Sequence, residues 1–254
     1  MLLVFPVALS LVFGFKLIKP LFYSTVRMSI QLVLIGFFLK YLFEWNNALI
    51  NILWLTVMIS TAVYSAIKSS TIKIGKIFIP VFISFSFSTL SVIFYLNLVV
   101  IPLDNVFDAR YLIVLGGMLL GNSLRGNIVG ISSFYKNIRK DTKEYLFALS
   151  LGAAQYEALL PYLRESVQLA LQPTLAAMAT MGIVALPGMM TGVLLGGASP
   201  ETAIKYQIMI MIAIVVSTIM SVVLTILLTL RLCFNKYGVL RRDVFVDGNN
   251  GNKR

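Results

Sequence analysis

The chain of 254 residues contains no histidine and a single cysteine, Cys233. Histidine is the usual proton shuttle and the commonest metal ligand. Without it, neither a Ser-His-Asp triad nor a two-histidine zinc motif can be assembled. One cysteine cannot close an intrachain disulfide. The 10 carboxylates fall at the edges of apolar runs, in one polar insertion or near the C-terminus, so none supplies acid–base chemistry inside an apolar run. Gly75-Lys76 lacks both the upstream glycine and the following hydroxyl residue of a phosphate-cradling loop. These residue types predict no enzyme and no cofactor bound by this chain.

The remaining candidates are not catalytic. Arg125 is the one strong charge well away from the ends of an apolar run, and a charge there is costly and often functional. Its long stem also permits snorkelling toward the nearer end. Asn122 lies in a Gly-x-x-x-Gly-Asn patch, Gly117 to Asn122, where small residues let helices approach closely. Asn127 could share its face. Met178, Met181, Met189, Met190, Met209 and Met211 cluster late in the chain. Thioethers suit soft metals, although methionine also serves as flexible packing. Lys205 and Tyr206 read as an interfacial anchor.

The elements that position these residues follow from composition. The chain is 59% hydrophobic and only 12% charged, with mean hydropathy +0.90. A soluble domain has roughly 45–50% apolar and about 25% charged residues. A soluble enzyme, a disordered chain and a disulfide scaffold are therefore excluded, and an all-α polytopic membrane protein is expected. Seven apolar runs approach the ~20 residues needed to cross a bilayer: 1–15, 24–43, 48–67, 77–101, 111–135, 166–197 and 204–230. The net charge of +11 has no basic helix face or aromatic interleaving behind it, so nucleic acid is not an expected partner. Of the 21 basic residues, 17 sit at alternate junctions or in the tail. These are Lys16, Lys19 and Arg27; Lys68, Lys73 and Lys76; Lys136, Arg139, Lys140, Lys143 and Arg164; and Arg231, Lys236, Arg241, Arg242, Lys253 and Arg254. Lys40, Arg110 and Lys205 occupy the opposite junctions. The positive-inside rule then predicts N-terminus out and C-terminus in. One transmembrane domain is expected over 1–235, with a cytoplasmic, partly disordered tail over 236–254.

Two runs are irregular. The first is short, about 22 Å as helix, and lacks the basic region and cleavage site of a signal peptide; it is read as a retained span. The sixth would reach roughly 48 Å unbroken, so a break is expected near Leu186-Pro187-Gly188. Irregular backbone at membrane depth persists where protein or water satisfies it, which makes Pro187, Gly188, Met189, Met190 and Thr191 candidates for lining a pathway. Between the fifth and sixth runs, 136–165 reads as helix, Gly152, then a short amphipathic helix from Ala153 to Leu163. Asp141 or Thr142 is the expected cap of the first piece.

Ala148-Leu149-Ser150-Leu151-Gly152-Ala153, followed by Glu157-Ala158, resembles the coupling-helix loop of ABC transporter permeases. Aligning Gly152 leaves only Ala148 matching the usual Glu-Ala-Ala. The downstream Leu-Pro is absent and Pro161 comes earlier, as in a divergent branch. Leu186-Pro187-Gly188-Met189-Met190-Thr191-Gly192 and Ala203-Ile204-Lys205-Tyr206-Gln207 name that branch. Together with Gly117-Met118, Gly121-Asn122 and Arg164-Glu165-Ser166-Val167, they resemble the FetB-type permease family, which includes a bacterial iron-export permease and plant relatives linked to aluminium tolerance. The resemblance implies an exporter subunit of the bacterial inner membrane, acting as a homodimer with a separate soluble ATPase that holds ATP and magnesium. It implies ATPase contacts at Ala148, Ser150, Leu151, Gly152, Ala153 and Glu157. Asn122, Arg125, Pro187, Gly188, Met189, Met190 and Thr191 would line the pathway. An ATP-independent carrier or channel, and a permease for a non-metal cargo such as a sugar nucleotide, remain the alternative readings.

Overall fold

A computed structural model describes residues 3–14, 18–70, 74–101, 105–184, 186–235 and 237–241, with backbone alone at 74 and 76. The described residues form helices α1 (Val4–Val12), α2 (Ile18–Trp45), α3 (Ala48–Ser69), α4 (Ile74–Tyr95), α5 (Ala109–Lys140), α6 (Thr142–Ser150), α7 (Gln155–Thr180), α8 (Gly188–Leu195) and α9 (Pro200–Cys233). A π-helical turn, Leu96–Val100, extends α4. No strand occurs among them beyond an isolated Phe234–Leu240 bridge.

The all-helical membrane architecture is observed. Five described helices are long and apolar enough to cross a bilayer: α2, α3, α4 with its π turn, α5 and α9. The seven expected runs differ from these five at two places. Over the first run, α1 has only nine residues, about 13 Å, less than half of a ~30 Å hydrocarbon core. The sixth run is split into two helices, α7 ending at Thr180 and α8 starting at Gly188. The tail expected from 236 onward lies outside the described residues at 236 and beyond 241.

Two compact units are present, Met1–Ile50 and Asn51–Arg254. The first holds α1 and α2, and α2 buries only Leu42. The second holds the core, in which α9 packs against α4, α5 and α7, and α5 against α7. Local chemistry starts these helices. Asp108 accepts a hydrogen bond from the Arg110 N–H at 2.8 Å, and Ser199 accepts from Thr202 ahead of Pro200 and Glu201. A short polar N-cap, proline at the first position and an acid in the first turn are favourable starts. Buried Asn51 and Asn97 donate to the carbonyls of Phe107 and Val106, which fixes the turn leading into α5.

The α5–α9 contact is close. A Cβ on Gly126 would lie 2.5 Å from Thr218 Cγ2, and one on Gly130 would lie 2.7 Å from Val222 Cγ1. Small residues allow such approach between membrane helices. Along the same seam, Ser123 meets Ser217 at 3.2 Å, Asn127 donates to Ser221 at 2.7 Å and Tyr135 donates to Thr229 at 2.7 Å. Each pair is 94 residues apart, so one helix register carries all three bonds. The expected shared face for Asn122 and Asn127 is not formed. Five residues of helix turn them about 140° apart, and Asn127 is buried against α9. Close approach in the expected patch occurs at Gly117, where a Cβ would lie 3.3 Å from Met58 Cε, and not at Gly121, where a Cβ would meet nothing within 4 Å.

Candidate functional site

The break expected in the sixth run is present. α7 ends at Thr180, whose carbonyl accepts from the N–H groups of Ile183 and Val184. Gly182 there has φ +85°, a conformation that favours glycine at a helix C-terminus. The chain resumes as helix at Gly188, with Pro187 in the cap position.

The break closes one side of a cavity of about 640 Å³. Helix α5 contributes Met118, Asn122, Arg125, Gly126 and Val129, and α7 contributes Ala170, Pro173, Thr174, Ala177 and Thr180. Met181 and Pro187 come from the break, Gly188 and Met189 from α8, and Gln207, Ile210, Met211 and Ile214 from α9. Five of the expected pathway residues therefore meet here: Asn122, Arg125, Pro187, Gly188 and Met189. Met190 and Thr191 do not line it. One helical step of about 100° carries Met190 off the face of Met189, and the Thr191 hydroxyl donates back to the Pro187 carbonyl at 3.1 Å.

Arg125 occupies the middle of α5, about 24 Å from Ala109 and about 22 Å from Lys140. It faces the cavity, and its side chain is exposed to it. The Asn122 amide donates to the Met118 carbonyl at 2.8 Å, leaving its oxygen available. Gln207 is 6% exposed; its amide nitrogen contacts Met181 Sδ at 3.7 Å, and its Oε1 has no partner among the described residues. The methionines divide. Met118, Met181, Met189 and Met211 line the cavity, whereas Met209 lines an apolar groove with Lys205 on the other side of α9. Gln207, Thr174 and Met118 are the lining residues whose placement the sequence concealed. Their types are ordinary for membrane helices, and only packing selects the face they present.

A second feature forms in the polar insertion. Ala148, Ala153 and Glu157 line a hollow of about 490 Å³ together with Asp141, Glu144, Tyr145, Tyr162 and Glu165. Burial, then the charges of Asp141, Glu144 and Glu165, raise the Tyr162 hydroxyl above its ordinary value. Ser150 turns its hydroxyl onto the Phe147 carbonyl, and Leu151 and Gly152 stand exposed at the turn. Phe147 and Tyr156 are exposed beside them, an apolar tip that the sequence pattern did not single out.

Two expectations about this segment are corrected. Asp141 holds the cap position without a side-chain cap bond, and Thr142 donates instead to the carbonyls of Ile138 and Arg139. The second helix is not a short piece ending near Leu163. It starts at Gln155, where Glu157 accepts from the Ala154 N–H at 2.9 Å, and continues unbroken to Thr180. Pro161 does not stop it: the proline removes a single internal bond, to the Glu157 carbonyl, and helix continues on both sides of it, as it does around Pro173.

Buried Tyr145 ties this segment to the chain after α9. Its hydroxyl donates to the Gly238 carbonyl at 2.7 Å and its ring meets Phe234 edge-on. Burial raises its pKa above the ordinary tyrosine value. Tyr145→Phe should remove about 1 kcal/mol and loosen residues 237–240. Limited proteolysis at Tyr237 reads this directly, and unchanged cleavage would refute the tether.

The fold and the cavity define a class: a polytopic helical membrane protein with a largely apolar cavity, into which Asn122, Arg125 and Gln207 bring polar groups, beside a broken helix. The chain belongs to the Uncharacterised protein family (UPF0014), whose profile matches residues 1–234. It is 33% identical over 196 residues to the "Probable iron export permease protein FetB" of Escherichia coli, covering 76% of this chain and 73% of that protein. It is 36% identical over 195 residues to "Protein ALUMINUM SENSITIVE 3" of Arabidopsis thaliana, covering 74% of this chain and 68% of that one. A third relative, "UPF0014 membrane protein STAR2" of rice, is 32% identical over 206 residues, or 81% of this chain and 70% of the relative. No solved structure matches the chain.

Proposed function

We propose that this chain is the membrane subunit of an ATP-driven exporter of iron or another metal. It would work in the bacterial inner membrane as a homodimer, N-terminus out and C-terminus in, with a separate soluble ATPase. It would itself be neither an enzyme nor the holder of ATP and magnesium. The observation that carries this reading is the continuity of α7. One helix, about 39 Å long, runs from the exposed turn at Leu151-Gly152 to Ala170, Pro173, Thr174, Ala177 and Thr180 on the cavity wall. A partner seated on the turn would act on the wall through a single rigid element. The likeness to a named iron export permease supports a metal cargo. The basic residues at Lys136, Arg139, Lys140 and Lys143 support placing the turn on the cytoplasmic side.

The test is joint purification with a P-loop ATPase from the same genome, followed by iron flux in proteoliposomes. The expected result is a stable complex with ATP-dependent flux. Flux of the chain alone, unaltered by ATPase and ATP, would overturn the reading in favour of an ATP-independent carrier.

A further inference from the structure

Charge is the property of the cavity that says most about its occupant. Among the described residues lining it there is no carboxylate and no cysteine, and Arg125 is the sole full charge. No cluster of three acidic or cysteine residues able to hold a metal exists among the described residues. Arg125 makes no hydrogen bond or ion pair among the described residues, so its charge is left for an occupant. Its position near the middle of a helix about 48 Å long puts both ends beyond the reach of one side chain. A charge kept at such depth ordinarily faces a bundle interior or cavity and serves an ion or substrate path. On the α9 wall of the same cavity, Gln207 presents a buried acceptor, Oε1, without a partner among the described residues. A buried acceptor left unpaired is costly, which favours an occupant that donates a hydrogen bond.

We infer that the cavity takes an anionic cargo, its negative group against Arg125 and a hydroxyl or other donor on Gln207 Oε1. This rests on reading the cavity as the transport pathway. A metal then enters as an anionic chelate with oxygen ligands, not as a bare cation. A bare cation would be repelled by the guanidinium and would find only neutral amide, hydroxyl and thioether groups, with no carboxylate to balance its charge. The four thioethers of Met118, Met181, Met189 and Met211 supply a neutral, polarizable wall.

The test is equilibrium binding of radioactive iron to the full chain in nanodiscs. Iron is supplied either as ferric citrate, an anionic chelate, or as aqueous Fe(II). The expected result is saturable binding of ferric citrate, at least tenfold weaker in Arg125→Gln, restored within threefold in Arg125→Lys, and several-fold weaker in Gln207→Leu. Fe(II) should show no saturable binding to any variant. Each variant is first shown to elute as the wild type does, so that loss of binding reports charge and not folding. Saturable Fe(II) binding that is unchanged or strengthened in Arg125→Gln would overturn the inference, as would failure of the wild type to bind the chelate. Flux separates this result from the reading above. ATP-driven transport of bare Fe(II), independent of Arg125, keeps the exporter and removes the anionic cargo. Arg125-dependent chelate binding without ATP-driven flux does the reverse.

Discussion

Gly152→Arg should insert into the membrane normally yet lose the proposed ATPase partner on purification, with at least a tenfold drop in the amount recovered. Two effects act together. Gly152 has φ +93°, where a side chain is strained, and a long cation would be added to an exposed apolar tip formed by Phe147, Leu151 and Tyr156. No neighbour lies within 4 Å of the position a Cβ would take, so the substitution adds no packing clash and its cost to the fold is the backbone strain of the turn alone. Leu151→Glu separates the causes. Leu151 is 72% exposed, and its backbone is unconstrained by sign of φ, so only the surface changes. A tenfold loss corresponds to about 1.4 kcal/mol of binding, modest for one residue at the centre of an interface. Undiminished recovery of the ATPase with both variants would remove this turn from the contact.

Gly126→Ala should lower thermal stability in detergent by several degrees, and Thr218→Ser in the same chain should return most of it. The added Cβ would lie 2.5 Å from Thr218 Cγ2, a methyl one bond from its own Cβ with no flexible stem to swing aside. Overpacking of this kind costs about 1–3 kcal/mol, and each kcal/mol shifts a melting midpoint by about 2–4 °C at this chain length. Thr218→Ser deletes the clashing methyl and keeps the hydroxyl. Contacting residues are expected to couple in such a double-mutant cycle. Additive effects of the two substitutions would show that α5 and α9 do not meet at this pair. The seam bears on the cavity because Arg125 is one residue before Gly126, so the helix rotation that close packing at Gly126 sets also sets where Arg125 points.

Much of this was legible in the amino-acid order. The break at Pro187-Gly188 was, because proline and glycine act on their own backbone wherever they occur. So was the Gly152 turn between two helical pieces. The continuity of α7 was hidden by Arg164 and Glu165, whose charges read as the border between a polar insertion and the apolar run that follows. The shortness of α1 was hidden because apolar composition records affinity for lipid, not the length of helix formed.

Composition and charge placement by themselves determined the class. A chain this apolar must satisfy its backbone polar groups internally, and helices do so within one segment. Which side chains face one another was decided only by the tertiary structure. In a helix apolar on every side, no hydrophobic stripe marks the inward face. Packing alone brought Met118, Arg125, Met189 and Gln207 to one cavity, and aligned Ser123, Asn127 and Tyr135 with partners 94 residues later. The physical reason is that close approach at Gly126 and Gly130 sets the rotation of α5 against α9. That rotation turns Asn127 into the seam and Arg125 into the cavity.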